Sequence, residues 1–555
     1  MANGALTRRA FLAIGLAGAG SLLAACQQPT TPSRSADPRP PELRTPEPKP
    51  IPIPAATTRP GSQAAPAPGA PKPGGSLVWA AELDPLDLDP HTSAHVASIQ
   101  AWGDLTYQSL VMFDENLKIM PCLAEAWQVS DDRLTWKFKL RQGVRFHDGS
   151  EFEAEDVRFW FDRTMAPETA APYKGSFSQI TRVEPKGKYT VEFTLGAPYA
   201  PFLGTFAALR GSAMVPRRWM QGAGAAAKSS AVGSGPFKIA EYVPRSHIRY
   251  VRHRDYWEQG LPYLDDVTFK IVTDEEQRVA ALRSGQVKYA AVGPQAAQQL
   301  KRELTVLVSA GPVQRVTSLN VLRKPFDDVR VRQAIGLTVD RTAAIEKVLG
   351  GEGRLTGPMP TGHGDWPIPP ERLPYRKDLA IAQHLLAEAG YPDGFGATIK
   401  APSDSPSLLS TATLLADQVR AVGITLHVEQ LEGRALLEAV DANDVDLHMS
   451  GIGFLPDPDG YFSPYSSRGR SPGTPSLTPW ANARYDEIVE HARSVLDPGD
   501  RKRLYDEAAA IVMHEAPLIW WFTENTLEVI HASVKGYRQS FTGRRLGLKK
   551  TWLDG

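Results

Sequence analysis

Leu134, Trp136, Phe138 and Leu140 alternate with Thr135, Lys137 and Lys139, the period-two pattern of a strand with one buried face. Asp131-Asp132 supplies the turn before it. Val144 to His147 predicts a second short strand, ending at Asp148-Gly149, a dipeptide suited to positive φ. From Glu155 to Met165 the period lengthens, which predicts a helix with Val157, Phe161 and Met165 inward. Further strands are expected at Gly74 to Ala81, at Tyr189 to Leu195 and at Asp266 to Val272, with a helix from Ala94 to Met112. Asp378 can cap a helix whose Leu379, Ala382, Leu385, Leu386 and Ala389 face inward and which closes at Gly390 and Pro392. A helix from Leu408 to Val422 ends at Gly423 and leads into a strand from Ile424 to Val428. The fold class is therefore α/β.

The first 73 residues follow none of these patterns. Phe11 to Ala25 is an apolar run of fifteen residues, too short for a bilayer core that needs about 20. Thr7-Arg8-Arg9-Ala10-Phe11-Leu12 resembles a twin-arginine export signal, and Leu23-Ala24-Ala25-Cys26 resembles a bacterial lipobox, so residues 1–26 read as a lipoprotein signal with Cys26 as the lipidated residue. Gln27 to Pro73 holds fifteen prolines in 47 residues and no aromatic residue, so it cannot bury enough apolar surface to offset its ordering entropy. It is expected to be a tether, with a contour of up to roughly 145 Å in extended polyproline form.

The 482 residues after Pro73 exceed one simple core and predict two or three domains. A formal net charge of zero gives no basic field for nucleic acid. There are two cysteines, and with Cys26 lipidated, Cys122 has no disulfide partner and reads as a small core residue. No G-x-S-x-G, Walker A loop, H-E-x-x-H or dinucleotide fingerprint occurs. His147-Asp148, with Glu151, Glu153, Glu155 and Asp156 nearby, lacks a second His-rich motif and reads as a turn rather than a metal centre. His91 and His95 stand four apart without supporting ligands. Neither an enzyme nor a bound cofactor or metal is expected.

Residues 121 to 157 carry Pro121-Cys-Leu-Ala-Glu-Ala-Trp127, then a strand, then Arg141-Gln-Gly-Val-Arg-Phe-His-Asp-Gly149 and Ala154-Glu-Asp-Val157. Gly233-Ser-Gly-Pro-Phe237, Arg254-Asp-Tyr-Trp257, Pro262-Tyr-Leu-Asp265, the stretch from Asn320 to Arg341, Leu385 to Pro392, Asp457-Pro-Asp459, and Leu496-Asp-Pro498 with Arg501 and Tyr505 follow in order. Taken together, residues 74 to about 540 resemble the extracellular solute-binding family 5, the dipeptide, oligopeptide and nickel receptors of ABC importers.

The resemblance implies a periplasmic-binding-protein fold, type II-like, with two lobes joined by a hinge and an extra third domain. Lobe I would comprise residues 74–112, 210–312 and 523–555, the inserted domain 113–209, and lobe II 313–522. The hinge would lie near Ala310-Gly-Pro312 and Trp520 to Thr523. It implies a monomeric lipoprotein on the outer face of the cytoplasmic membrane, held by its lipid alone. This protein would capture a small polar solute, peptide or peptide-like, and hand it to an ABC permease and ATPase. A ligand-sensing surface receptor or adhesin on the same scaffold is the alternative.

In peptide-binding relatives an aspartate three residues before the Asp-Pro pair holds the peptide ammonium. Here Ser450-Gly-Ile-Gly-Phe-Leu-Pro-Asp-Pro458 puts Phe454 at that position and Gly451 where a tryptophan would stand. Phe cannot supply the charge that a buried ammonium needs. The candidate ligand-binding residues are Phe454, Asp457, Asp459, Tyr461 and Trp480, with Asp404 and Glu432 brought in by the resemblance. Two readings stand for Asp457-Pro-Asp-Gly460, a ligand site and a capped turn. Tyr461 and Trp480 read either as packing residues or as cleft lining, and Arg468 and Arg470 either as solvated or as contacts of an anionic ligand. Peptide, oligosaccharide, opine-like amino acid derivative and chelated nickel all remain open as solutes.

Overall fold

The computed structural model describes residues 70–374, 376–468 and 478–554. The export signal, Cys26, the proline-rich tether up to residue 69 and Arg470 lie outside the described residues. Among those described, the two lobes share one mixed sheet of eleven strands. Its path runs Thr425–Leu431, Gly396–Pro402, Leu447–Ile452, Thr305–Leu319, Leu518–Ile530, Tyr289–Ala291, Ser76–Ala81, Asp266–Ile271, His247–Arg252 and Phe237–Val243, with Gly353–Leu355 also paired to Leu518–Ile530. Two long antiparallel strands thus run through both halves. Residues 305–310 pair with 525–530 in one half and residues 314–318 with 518–523 in the other, and the register shifts between Ala310 and Gln314 and again between Arg315 and Val316.

A second, four-stranded antiparallel sheet lies within residues 124–195, in the order Ala124–Val129, Thr135–Leu140, Thr190–Leu195, Ile180–Pro185. The alternation seen in the sequence is realised there: Trp136, Phe138 and Leu140 are buried while Lys137 and Lys139 are exposed. Val191, Phe193 and Leu195 point the same way. They meet Phe202 and Phe206 from the next short helix in a cluster of edge-to-face and tilted rings, which adds quadrupole attraction to the burial of apolar area.

Three local expectations change. The helix expected from Ala94 to Met112 covers only Val96–Trp102. Gly103 leaves the helical region and Asp104 turns left-handed at φ 64°, where its carboxylate pairs with Arg544, so a tertiary ion pair ends the helix early. Val144 to His147 is no strand. One bridge, Arg145 to Glu151, flanks the turn at Gly149, and the His147 backbone and ring are both spent on the Gly233–Gly235 segment. The helix Ala154–Met165 buries Val157, Trp160 and Thr164, with Phe161 and Met165 only partly covered, because the Trp160 indole reaches across to the Gly211 carbonyl at 2.7 Å.

Other local signals hold. Asp378 caps its helix by accepting a hydrogen bond from the Ile381 amide at 3.0 Å. Cys122 is buried and free, its thiol pushed up to about 12 by burial. Among the described residues, no helix is long and apolar enough to cross a membrane.

Candidate functional site

The strand Leu447–Ile452 leads into Gly453 and Phe454, whose ring joins the hydrophobic cluster built on the four-stranded sheet, together with Ala310 and Phe541. Phe454 is 5% exposed. Its ring meets Phe113 edge-on at 6.3 Å, Phe541 at 6.0 Å and the His363 imidazole in a stacked arrangement at 5.9 Å, while the Arg210 guanidinium carbon lies 5.7 Å from its centroid. These partners come from widely separated parts of the chain, so the position that would hold a carboxylate in a peptide receptor is here the centre of an aromatic cage. A carboxylate without a cation would be strongly disfavoured in such surroundings.

His363 is neutral in this cage, because burial depresses its pKa. Its Nε2–H donates to the Leu455 carbonyl at 2.9 Å, and among the described residues Nδ1 has no hydrogen-bond partner. Beneath it, Tyr461 is fully buried and its hydroxyl accepts from the Leu455 amide at 3.0 Å. The loop carrying Phe454 is therefore fixed from below.

Asp457 and Asp459 are engaged inside the protein. Asp457 caps the short helix Pro458–Phe462 through the Asp459 amide and also takes both Nη groups of Arg501, at 3.0 and 2.6 Å. Burial alone would lower the Arg501 pKa, but the adjacent Asp457 charge outweighs it and the net shift is upward. Asp459 accepts from Arg493 Nε at 3.1 Å. Trp480 packs edge-on against Tyr485 in the core of this half.

Asp404 and Glu432 lie elsewhere. Both are exposed, and the Asp404 carboxylate approaches the helix start at Gly433, next to Glu432. Three residues on from Asp404, Ser407 donates to Glu524, whose carboxylate also accepts from Arg315 Nε at 2.7 Å. The Arg315 guanidinium fills the space beside Gly451, 3.0 Å from where a β-carbon would stand. An arginine thus occupies part of the volume that a tryptophan side chain at 451 would need.

Sequence reasoning missed Arg210, His363, Phe113, Phe541 and Arg315. No periodicity marks them, since their roles depend on contacts between distant segments.

Both histidine motifs have structural duties. His147 donates from Nε2 to the Gly235 carbonyl and accepts from the Gly233 amide, and burial depresses its pKa to about 3. Gly233 and Gly235 are required for this join: a β-carbon on either would sit 2.0 or 2.3 Å from the Thr106 or Leu105 carbonyl oxygen. His91 donates from Nε2 to the Ala213 carbonyl and accepts from Arg163, which also pairs with the buried Asp89. Among the described residues, no group of three His, Cys, Asp or Glu side chains is placed to hold a metal. A depression of about 400 Å³ lined by Ser318, Asn320, Asn443 and His448 borders the start of the strand Leu447–Ile452, whereas Phe454 follows its end.

Comparison with known proteins agrees with this architecture. The glutathione-binding protein GsiB of Salmonella paratyphi A is 29% identical over 461 residues, which cover 81% of this chain and 89% of the relative. HbpA2 of Haemophilus parasuis superposes with a TM-score of 0.79 at 25% identity, covering 87% of this chain and 100% of that one. The periplasmic binding protein DppA of Helicobacter pylori, solved with the peptide STSA, superposes with a TM-score of 0.70 at 27% identity, covering 87% of this chain and 99% of its own. The model of the bacterial extracellular solute-binding proteins, family 5 (middle), matches residues 118–473. With the shared eleven-stranded sheet, the separate four-stranded sheet and this match together, the chain belongs to family 5 of the bacterial extracellular solute-binding proteins.

Proposed function

We propose that this protein is the lipid-anchored receptor of an ABC importer, closing two lobes over a small peptide-like solute that offers no free ammonium at the Phe454 position. The observation that carries this reading is the aromatic cage around Phe454, which joins residues of both lobes and leaves no carboxylate there to pair with an amine. Relatives named for glutathione and a neighbour solved with a peptide support the solute class. The pivots are the register break between Ala310 and Gln314 and its partner stretch around Thr523. Closure then needs only a few residues to change conformation, and the solute shifts the balance by binding the closed form better. Cys26 is the membrane attachment, the segment from Gln27 to Pro73 the tether, and the protein acts as a monomer that binds without turning over its ligand.

The test is calorimetry on the purified soluble chain with glutathione, di- and tripeptides and their N-acetylated forms, combined with product analysis by mass spectrometry. Saturable binding of at least one member, recovered chemically unchanged, is expected. Conversion of a bound member, or binding of none, overturns the proposal.

A further inference from the structure

The antiparallel strands Thr305–Leu319 and Leu447–Ile452 set Ser318 directly opposite His448. Paired residues project to the same side of a sheet, so this hydroxyl and this imidazole are neighbours on one face. Farther along that face, Val316, Ile452 and Trp520 are covered by the apolar cluster that contains Tyr465, Tyr485 and Val512. At Ser318 and His448 the cover gives way to the depression of about 400 Å³. It lies at the start of the strand Leu447–Ile452, and up to about 20 Å of extended chain separates it from Phe454 beyond the strand's end.

Both groups on the floor of this depression are short of partners. Ser318 is 1% exposed, and among the described residues its Oγ has no hydrogen-bond partner. A buried hydroxyl left unmatched is costly, and most are matched. The His448 ring also makes no hydrogen bond among the described residues, and burial alone lowers its pKa to about 4, so it is neutral. His91, His147 and His363, by contrast, each hold a backbone carbonyl. The rim beside these two groups is braced. Asn320 donates to the Asn443 side chain at 2.9 Å and to the Val445 carbonyl at 2.7 Å, and Asn443 takes a left-handed φ of 56° to turn the chain there. A floor held between paired strands and a braced rim needs little ordering when a ligand arrives.

The floor thus offers a hydroxyl and a neutral imidazole, each able to donate one hydrogen bond and to accept another. Among the described residues no lysine or arginine lines the depression, and its one ionised side chain is Asp441, exposed at the rim. An anion would meet only that like charge, and a cation would give up its hydration on a floor without a carboxylate. Leu322, Val440 and Pro479 supply apolar walls, and the volume falls within the range of roughly 300–1,000 Å³ that small-molecule sites span. We infer that this depression is a second ligand site, separate from the one at Phe454, for an uncharged polyhydroxylated molecule of monosaccharide size. One ligand hydroxyl would donate to the free imidazole nitrogen and accept from Ser318, while the C–H face of the molecule lies on the apolar walls.

The test uses the purified protein carrying Cys26→Ser, labelled with nitrogen-15 in its histidine rings, with the His448 signals identified by their loss in His448→Gln. D-glucose, N-acetyl-D-glucosamine and myo-inositol are titrated to about 10 mM, the range of a weak small-molecule site, with D-glucuronate as the anionic control. At least one neutral probe should move the His448 signals to saturation while the His363 signals stay fixed, and glucuronate should bind more weakly than glucose. Ser318→Ala removes a buried hydroxyl that has no partner, so the variant should fold as stably as its parent, yet bind the same probe about fivefold or more weakly. Failure of every neutral probe to move the His448 signals overturns the inference, as does movement of the His363 signals instead, undiminished binding by Ser318→Ala, or binding of glucuronate as tight as that of glucose. None of these outcomes bears on the receptor reading, which is tested with peptides and glutathione.

Discussion

Arg501 closes both of its terminal nitrogens on the Asp457 carboxylate, at 3.0 and 2.6 Å, while the same carboxylate caps the helix that follows Phe454. The pair is nearly enclosed, with side-chain exposures of 6% and 13%. Asp457 therefore acts as the brace of the Phe454 loop, and its charge is already satisfied before a ligand arrives. Removing one partner of such a pair strands the other, which costs about 3 kcal/mol, whereas replacing both with apolar groups restores most of it. Asp457→Ala should accordingly lower the urea midpoint of unfolding, and Asp457→Leu combined with Arg501→Met should recover it. Asp404→Ala and Glu432→Ala, at exposed positions, should stay within about 0.5 kcal/mol of the parent. If Asp457→Ala is as stable as Asp404→Ala but loses ligand affinity, Asp457 is a ligand group instead.

The stability of the protein should depend on pH through His147. Burial depresses its folded pKa from 6.5 to about 3, so the folded protein keeps the ring neutral where the unfolded chain would protonate it. The unfolded state binds the extra proton, so stability is fully present above about 6.5 and falls as pH drops through the interval down to about 3. Between pH 6.5 and 5, above the ordinary carboxylate range, His147 approaches a contribution to the slope of about 1.4 kcal/mol per pH unit as its unfolded form becomes protonated. His147→Gln should flatten the pH dependence of the unfolding free energy by up to that amount across the interval. An unchanged slope would mean that the ring is protonated in the folded state.

The anchor can be tested independently of the fold. Cys26 lies outside the described residues, and a lipid on it is the proposed membrane attachment. Cys26→Ser should be exported yet recovered in the soluble fraction after cell disruption, with ligand affinity unchanged. Replacing Arg8 and Arg9 by lysine should stop export altogether. Retention of Cys26→Ser in salt-washed membranes would require another attachment.

Much of the fold was legible because it is written in local periodicity and capping chemistry. Trp136, Phe138 and Leu140 alternate with lysines and do face the core, and Asp378 does cap its helix. The capped-turn reading of Asp457 was equally local, since the Asp459 amide it accepts from is two residues away. What failed to show depended on long-range partners. The Ala94–Met112 segment carries helical periodicity but is broken by Asp104, whose partner Arg544 lies 440 residues on. The site suffers most from this, because Phe113, Arg210, His363 and Phe541 converge on Phe454 from distant segments. The substitution at Phe454 was visible in the sequence; the cation that accompanies it was not.

That cation decides what happens when the aromatic residue is exchanged for an acid. In Phe454→Asp the new carboxylate would stand beside Arg210, whose guanidinium carbon now lies 5.7 Å from the Phe454 centroid. The two would pair with each other, each satisfying the other in a site of low polarity. The single variant should then gain no affinity for free amines. Only Phe454→Asp combined with Arg210→Gln leaves a carboxylate free to hold an ammonium group. Calorimetry with a dipeptide and its N-acetylated form should show a preference for the free amine of about tenfold or more in the double variant alone. A preference of that size already present in Phe454→Asp would place Arg210 out of reach of position 454.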